Sequence, residues 1–150
     1  MLRGGCHCGA VRYEAEAEPF HETVCHCADC RRSVGAASVA WFSVPRAALC
    51  WTAGEPRSVR SSPRVTRRFC GACGTSLTYE SDEAPGEVDV TTASLDEPAG
   101  VPPRDHTYMA ERLVWDVVGD GLPAFPRTRS TAPHREEPPW DAAPDGPGSS

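Results

Sequence analysis

The sequence predicts a mostly β domain of small antiparallel sheets held together by metal-binding cysteines, and three observations predict it. Apolar and polar residues alternate with period two in short runs, Gly, Pro and Ser-Pro breaks recur along residues 1 to 126, and seven of the eight cysteines fall in three tight clusters. Helical periodicity is almost absent. Val11, Tyr13, Ala15 and Ala17 alternate with Arg12, Glu14 and Glu16, the pattern of a half-buried strand. Ala37 to Ser43, with Trp41 and Phe42, reads as a more buried strand, and Val65 to Phe69, Thr75 to Tyr79, Glu87 to Thr92 and Thr107 to Met109 are further strands. Pro45 to Leu49 suits one helical turn, and Glu111 to Val118 reads equally as strand or short helix. Trp41, Phe42, Trp51 and Trp115 are core candidates, and Asp89 and Asp96 suit turns and strand ends.

Composition bounds what the domain can be. The chain has 150 residues, 39% hydrophobic and 7% aromatic, enough for a modest core in one domain but lean for this length. Residues 1–126 are expected to form that domain. Residues 127–150, rich in proline and closing on Gly-Pro-Gly-Ser-Ser, are expected to be a disordered tail with Trp140 as its one anchor candidate. The net charge is −6 and all fifteen cations are arginine; lysine, isoleucine, asparagine and glutamine are absent together, the mark of a GC-rich coding sequence. An acidic chain lacks the broad phosphate-tracking surface that nucleic acid requires. The start carries no apolar signal-peptide core and no run of 18 apolar residues occurs, so no membrane span and a reducing cytoplasm are expected.

The cysteine spacing carries the chemistry. The clusters are Cys6-x-Cys8, Cys25-x-Cys27-x-x-Cys30 and Cys70-x-x-Cys73, with Cys6-His7-Cys8 echoed as Cys25-His26-Cys27. In an extended segment, residues two apart face the same way, so Cys-x-Cys offers two sulfurs to one ion; Cys-x-x-Cys does the same in a turn, where Gly71 and Gly74 free the backbone. Disulfides are disfavoured, because such near neighbours rarely reach bridging geometry and a reducing compartment opposes them. Cys6, Cys8, Cys70 and Cys73 make four ligands for a structural zinc. Cys25, Cys27 and Cys30 supply three, which leaves a position open for a second, catalytic zinc. Cys50, between Leu49 and Trp51, is expected to be a buried structural thiol; were it to close the second site, both zincs would be structural.

Three thiolates on a divalent ion leave a net negative centre, a poor activator of water that favours a soft sulfur as its fourth ligand. A substrate thiol held there as thiolate is placed to attack an electrophile such as an aldehyde. Arg31 and Arg32 follow Cys30, where Arg31 is a candidate contact for the carboxylates of an anionic thiol, against plain surface charge. His7 and His26 are aimed away from the cysteine face and suit outer hydrogen bonding more than ligation. His106 is a candidate proton shuttle.

The motifs Gly5-Cys6-His7-Cys8-Gly9-Ala10-Val11, Cys25-His26-Cys27-Ala28-Asp29-Cys30-Arg31-Arg32 and Arg68-Phe69-Cys70-Gly71-Ala72-Cys73-Gly74-Thr75-Ser76-Leu77 resemble those of the glutathione-dependent formaldehyde-activating enzyme (GFA), or centromere protein V, family. Asp89 to Asp96, His106, Trp115 and Leu122-Pro123 follow in the same order, so the resemblance covers residues 4 to about 126. It implies an Mss4-like β-tent, two zinc ions per chain on the two cysteine groups, and a carbon–sulfur lyase that joins glutathione or another small thiol to formaldehyde. The competing expectation is a zinc-stabilised binding module without catalysis, and a zinc-ribbon nucleic-acid binder ranks below both.

Overall fold

Residues 1–129 are described by the structure, a computed structural model; the expected proline-rich tail from residue 130 onward, with Trp140, lies outside the described residues. In chain order the strands are β1 (Leu2–Gly5), β2 (Arg12–Ala15), β3 (Phe20–Cys25), β4 (Val39–Pro45), β5 (Leu49–Ala53), β6 (Arg57–Ser62), β7 (Val65–Phe69), β8 (Ser76–Ser81), β9 (Glu87–Thr91) and β10 (Asp105–Thr107). One α-helix, α1 (Ala28–Val34), stands among the described residues, so the fold is mostly β as expected. The chain divides into two units, Met1–Glu22 with Ala40–Pro103, and Thr23–Val39 with the segment from Arg104 onward.

The first unit is antiparallel. Strands β1, β2 and β5 form one sheet in that order, and β4, β9, β8, β7 and β6 are hydrogen-bonded neighbours in another. Alternation is realised on β2, where Tyr13 and Ala15 are buried while Arg12 and Glu14 are half-exposed. Val11, Tyr13, Ala15, Phe42, Val44, Leu77, Val88, Val90, Leu95 and Val101 form the core together with Cys6 and Cys70, so two of the clustered sulfurs are part of the apolar interior. Tyr13 satisfies its buried hydroxyl on Ser94 Oγ at 2.7 Å and meets Trp51 edge-on at a centroid separation of 6.0 Å.

The second unit departs from the antiparallel expectation, because β10 runs parallel to β3 with Thr107 opposite Cys25. On the other side of β10, His106 bridges to Ala124, donating its N–H to Pro123 O at 2.8 Å and accepting from Phe125 N at 2.8 Å. Here the buried residues are mostly thiols and polar groups: Thr23, Cys25, His26, Cys30, Asp105, His106, Thr107 and Arg112, with Val39 and Met109 as apolar members. Past residue 126 the chain still bonds this unit, Arg127 O accepting from Tyr108 N at 2.9 Å and the Arg129 guanidinium pairing with Asp105.

Several local expectations are corrected. The strand expected over Thr107 to Met109 ends at Thr107, since Tyr108 adopts a left-handed backbone (φ 56°) that breaks the extended chain. Glu111 to Val118 is neither strand nor a full helix but a run of turns, in which Trp115 is 69% exposed instead of buried. Cys50 is exposed, because on β5 the half-buried faces belong to Leu49 and Trp51 and alternation turns the thiol between them outward. Helix α1 had no apolar stripe to betray it; it starts at Cys27, whose sulfur accepts from Cys30 N, and stops at Gly35, whose N–H bonds Arg31 O.

Candidate metal centres

Two groups of side chains among the described residues have the donors and spacing to hold a metal ion: Cys6, Cys8, Cys70 and Cys73, and Cys25, Cys27 and Cys30, the sulfurs of each group lying within 4.8 Å of one another. Cys50 belongs to neither, and every cysteine is a free thiol.

The four-thiol group is built from two similar loops. After β1, Cys6 N bonds Val11 O at 3.0 Å and Gly9 N bonds Cys6 O at 3.1 Å; after β7, Cys70 N bonds Thr75 O at 3.0 Å and Gly74 N bonds Cys70 O at 2.8 Å. Gly9 and Gly74 have φ of 80° and 81°, the left-handed turn that folds amides around a sulfur and that a side chain would strain. Val11 N then points at Cys6 Sγ at 3.2 Å and Ala72 N at Cys70 Sγ at 3.4 Å. The Sγ separations are 3.5 Å for Cys6 to Cys8 and 3.8 Å for Cys8 to Cys70. Zinc–sulfur bonds of about 2.3 Å in a tetrahedron imply edges of about 3.8 Å, so the donor set fits that ion. The Thr75 hydroxyl, then the backbone N–H groups of Thr75 and Cys8, hold the Cys73 thiol down at about 5.

The three-thiol group lies wholly in the second unit. Cys25 ends β3, Cys27 caps α1 and Cys30 sits in its first turn, with Cys25 and Cys27 sulfurs 3.4 Å apart. Cys25 and Cys30 are buried and Cys27 half-buried. The neighbouring Cys27 and Cys30 thiols, and then burial, push the Cys25 thiol up, because adjacent negative sulfurs repel in a low-dielectric setting. A divalent cation removes that penalty, and three soft donors fit zinc with one position left for an outside ligand.

The other expected residues take defined places. His26 is 1% exposed and turned toward His106, its Nε2 2.9 Å from His106 Nδ1, while His106 Nε2 lies 2.8 Å from Asp120 Oδ2. His106 is thus buried on β10, not in a loop. Burial, then His106, push the His26 imidazole down to about 4, keeping it neutral. Arg31 spends its Nε on His26 O and its Nη2 on Glu111 O, each at 3.3 Å, and Ala28 N bonds Glu111 Oε1 at 3.3 Å. Arg31 therefore braces the cysteine loop through backbone carbonyls. His7 is exposed, and its backbone N–H donates to Thr75 Oγ1 at 3.1 Å. Asp89 lies inside β9, accepting from Ser43 Oγ at 2.5 Å, and Asp96 pairs with Arg12.

Sequence reasoning missed Tyr108, Glu111, Asp116 and Asp120. Burial, then the fields of Cys25 and Cys27, push the Tyr108 phenol up. The Gly119-Asp120-Gly121 run signals a turn, and Asp120 Oδ1 does accept from Leu122 N at 3.0 Å; nothing in the run signals the histidine on its other oxygen.

Known proteins share this arrangement to different depths. Residues 1–111 match the family described as glutathione-dependent formaldehyde-activating enzyme, a stretch that holds all seven clustered cysteines and His106 and ends before Asp116 and Asp120. A protein of Halomonas elongata, provisionally named a glutathione-dependent formaldehyde-activating enzyme, is 28% identical over 125 residues, covering 77% of this chain and 79% of the relative. A crystal structure of a Rhodobacter sphaeroides protein matches at a TM-score of 0.56 and 21% identity, covering 82% of this chain and 98% of that one, a likeness of fold alone.

Proposed function

Because the chain belongs to the glutathione-dependent formaldehyde-activating enzyme family, we propose that it adds glutathione or an analogous small thiol to formaldehyde or a similar small aldehyde, or runs the reverse, as a carbon–sulfur lyase-type enzyme of the cytoplasm. The observation that carries this reading is the incomplete donor set: Cys25, Cys27 and Cys30 converge without a fourth protein ligand among the described residues. No helix among the described residues is long and apolar enough to cross a membrane.

In this reading each unit holds one zinc ion. Cys6, Cys8, Cys70 and Cys73 hold the structural one; Cys25, Cys27 and Cys30 hold the other, which when bound supplies a soft positive centre that lowers the pKa of an arriving thiol. The chemistry needs no oxidant. The thiol sulfur gives an electron pair to the aldehyde carbon, the carbonyl π pair moves to oxygen, and the proton lost from sulfur is returned to that oxygen, giving the S-hydroxymethyl hemithioacetal. The chain's part is to hold and orient. Arg31 ties His26 O to Glu111 O and so fixes the cysteine loop.

Cobalt substitution tests the open position. The cobalt-loaded protein should show a thiolate charge-transfer band that shifts on addition of glutathione, and glutathione plus formaldehyde should give the S-hydroxymethyl adduct, followed by NMR, faster than without protein. A band unmoved by glutathione and by other cellular thiols would leave a metal-stabilised binding module in its place.

A further inference from the structure

The two buried imidazoles form a chain whose proton positions can be deduced. Asp120 Oδ1 is engaged by Leu122 N at 3.0 Å, and its other oxygen, Oδ2, faces His106 Nε2 at 2.8 Å. Burial opposes it, but the Leu122 amide and His106 hold the Asp120 carboxyl below the usual range, so it is an anion that only accepts. His106 Nε2 must then carry the hydrogen. In a neutral ring that leaves His106 Nδ1 as a lone pair, and the 2.9 Å contact requires His26 Nε2 to donate to it. His26 Nδ1 is left bare. It is buried without a hydrogen-bond partner among the described residues, and the group it faces, Asp116 Oδ2, is 3.9 Å away and is itself an acceptor when ionised. The opposite assignment would set the His106 lone pair against the Asp120 carboxylate at 2.8 Å, which is repulsive. One carboxylate therefore dictates two tautomers in series, the second on the residue between Cys25 and Cys27.

We propose that Asp120 is a positioning residue for the three-thiol site, acting through His106 to fix the orientation of His26 and with it the spacing of the Cys25 and Cys27 sulfurs. The backbone repeats the connection: His26 N donates to Thr107 O at 3.0 Å, so the cysteine-bearing strand and β10 are joined by a main-chain bond beside the ring-to-ring one. Groups that orient a metal-binding loop without touching the ion are worth about 10–100-fold in metal affinity. Asp120 lies beyond residues 1–111, the stretch matched by the family model. The inference rests on the proposed function only in taking the three thiols as a metal-holding site.

The decisive substitution is Asp120→Asn. Leu122 N keeps the amide oxygen on its side, which turns the amide nitrogen toward His106 Nε2 as a donor. His106 must then protonate at Nδ1 and His26 at Nδ1, inverting both rings without removing an atom from the chain. Nitrogen-15 NMR of the zinc-loaded full chain should show both wild-type histidines protonated at Nε2 and both variant histidines protonated at Nδ1. Chelator competition on the cobalt-loaded protein should show the three-thiol site weakened by about 10-fold or more. Asp116→Asn, which offers a donor to the bare His26 Nδ1, should leave the tautomers and the affinity unchanged. A wild-type His26 protonated at Nδ1 overturns the proposal without any variant, and so does an inverted Asp120→Asn chain whose metal affinity and cobalt spectrum match the wild type. A wild-type protein that binds metal but ignores glutathione sinks the functional reading and leaves this test standing.

Discussion

The two cysteine groups begin alike and are supported differently. Cys6-His7-Cys8 follows β1 and Cys25-His26-Cys27 ends β3, and their paired sulfurs are 3.5 and 3.4 Å apart. The first pair is completed by a second loop 62 residues from Cys8, and two of its four sulfurs are packed into an apolar core with Tyr13, Phe42 and Leu77. Among the described residues the second pair gains only Cys30, in a unit whose other buried residues include Thr23, Asp105, His106, Thr107 and Arg112. In the proposed function the four-thiol group, two of its residues buried and two exposed, serves as a cross-link, whereas the three-thiol group has a position left to bind. The residue between the cysteines follows the same division, His7 lying exposed and His26 buried in a chain of rings.

The largest expected effect separates the two groups by what their loss destroys. Cys70→Ser removes one sulfur from a set whose metal is expected to contribute on the order of 10 kcal/mol of apparent binding free energy, and it places a hydroxyl at a position 1% exposed. It should abolish the cooperative thermal transition of the first unit, read by circular dichroism. Cys27→Ser, at a half-buried helix cap where serine caps as well as cysteine, should abolish adduct formation with a loss of only a few degrees in Tm. Equal unfolding by both would erase the distinction drawn between a structural and a reactive site.

A smaller effect asks whether the first unit is held by its core as well as its metal. Phe42 is fully buried between β4 neighbours in the apolar cluster, and Phe42→Ala should cost about 3–5 kcal/mol in a urea melt of the metal-loaded protein. A cost below about 1 kcal/mol would mean that the metal alone carries the fold, and the lean hydrophobic composition would have been the better guide.

What could be read from the chain divides along the same line. The four-thiol site was legible because its ligands come as two short, glycine-marked spacings, and local spacing survives whatever the rest of the fold does. Strands β2 and β9 were legible because one face meets the core and the other does not. Strands β1, β3 and β6 carry too little alternation to announce themselves; β6 is exposed along its whole length, so no face was selected. Helix α1 was hidden because seven residues carry a single buried side chain, Cys30, and thus no stripe. The partners of His106 were not legible, because they come from residues 80 positions earlier and 14 later, a pairing set by the parallel β3–β10 register. Trp115 shows the opposite error, since size and apolarity argued for a core and the segment instead turns outward.

The smallest effect sharpens the contrast through acid. A metal ion held by either group of thiolates would be released as pH falls, so acid unfolding of the metal-loaded first unit would mix metal loss with carboxylate protonation. Glu80 isolates the second contribution. It sits on β8 between Arg68 Nε at 2.8 Å and Arg46 Nη1 at 2.6 Å, with its side chain 15% exposed. Burial opposes ionisation, but the two guanidinium groups outweigh it and hold the carboxyl below its ordinary value. A folded-state value below the unfolded one means that the pairing stabilises the protein above the unfolded pKa and is lost as pH falls through the folded one. Glu80→Gln should therefore lower stability by about 1 kcal/mol at pH 7 and converge on the wild type at acid pH, measured by urea melts from pH 7 to 3 at fixed free zinc. A deficit that stays constant down to pH 3 would assign the loss to packing, leaving the thiolates as the source of the unit's acid sensitivity.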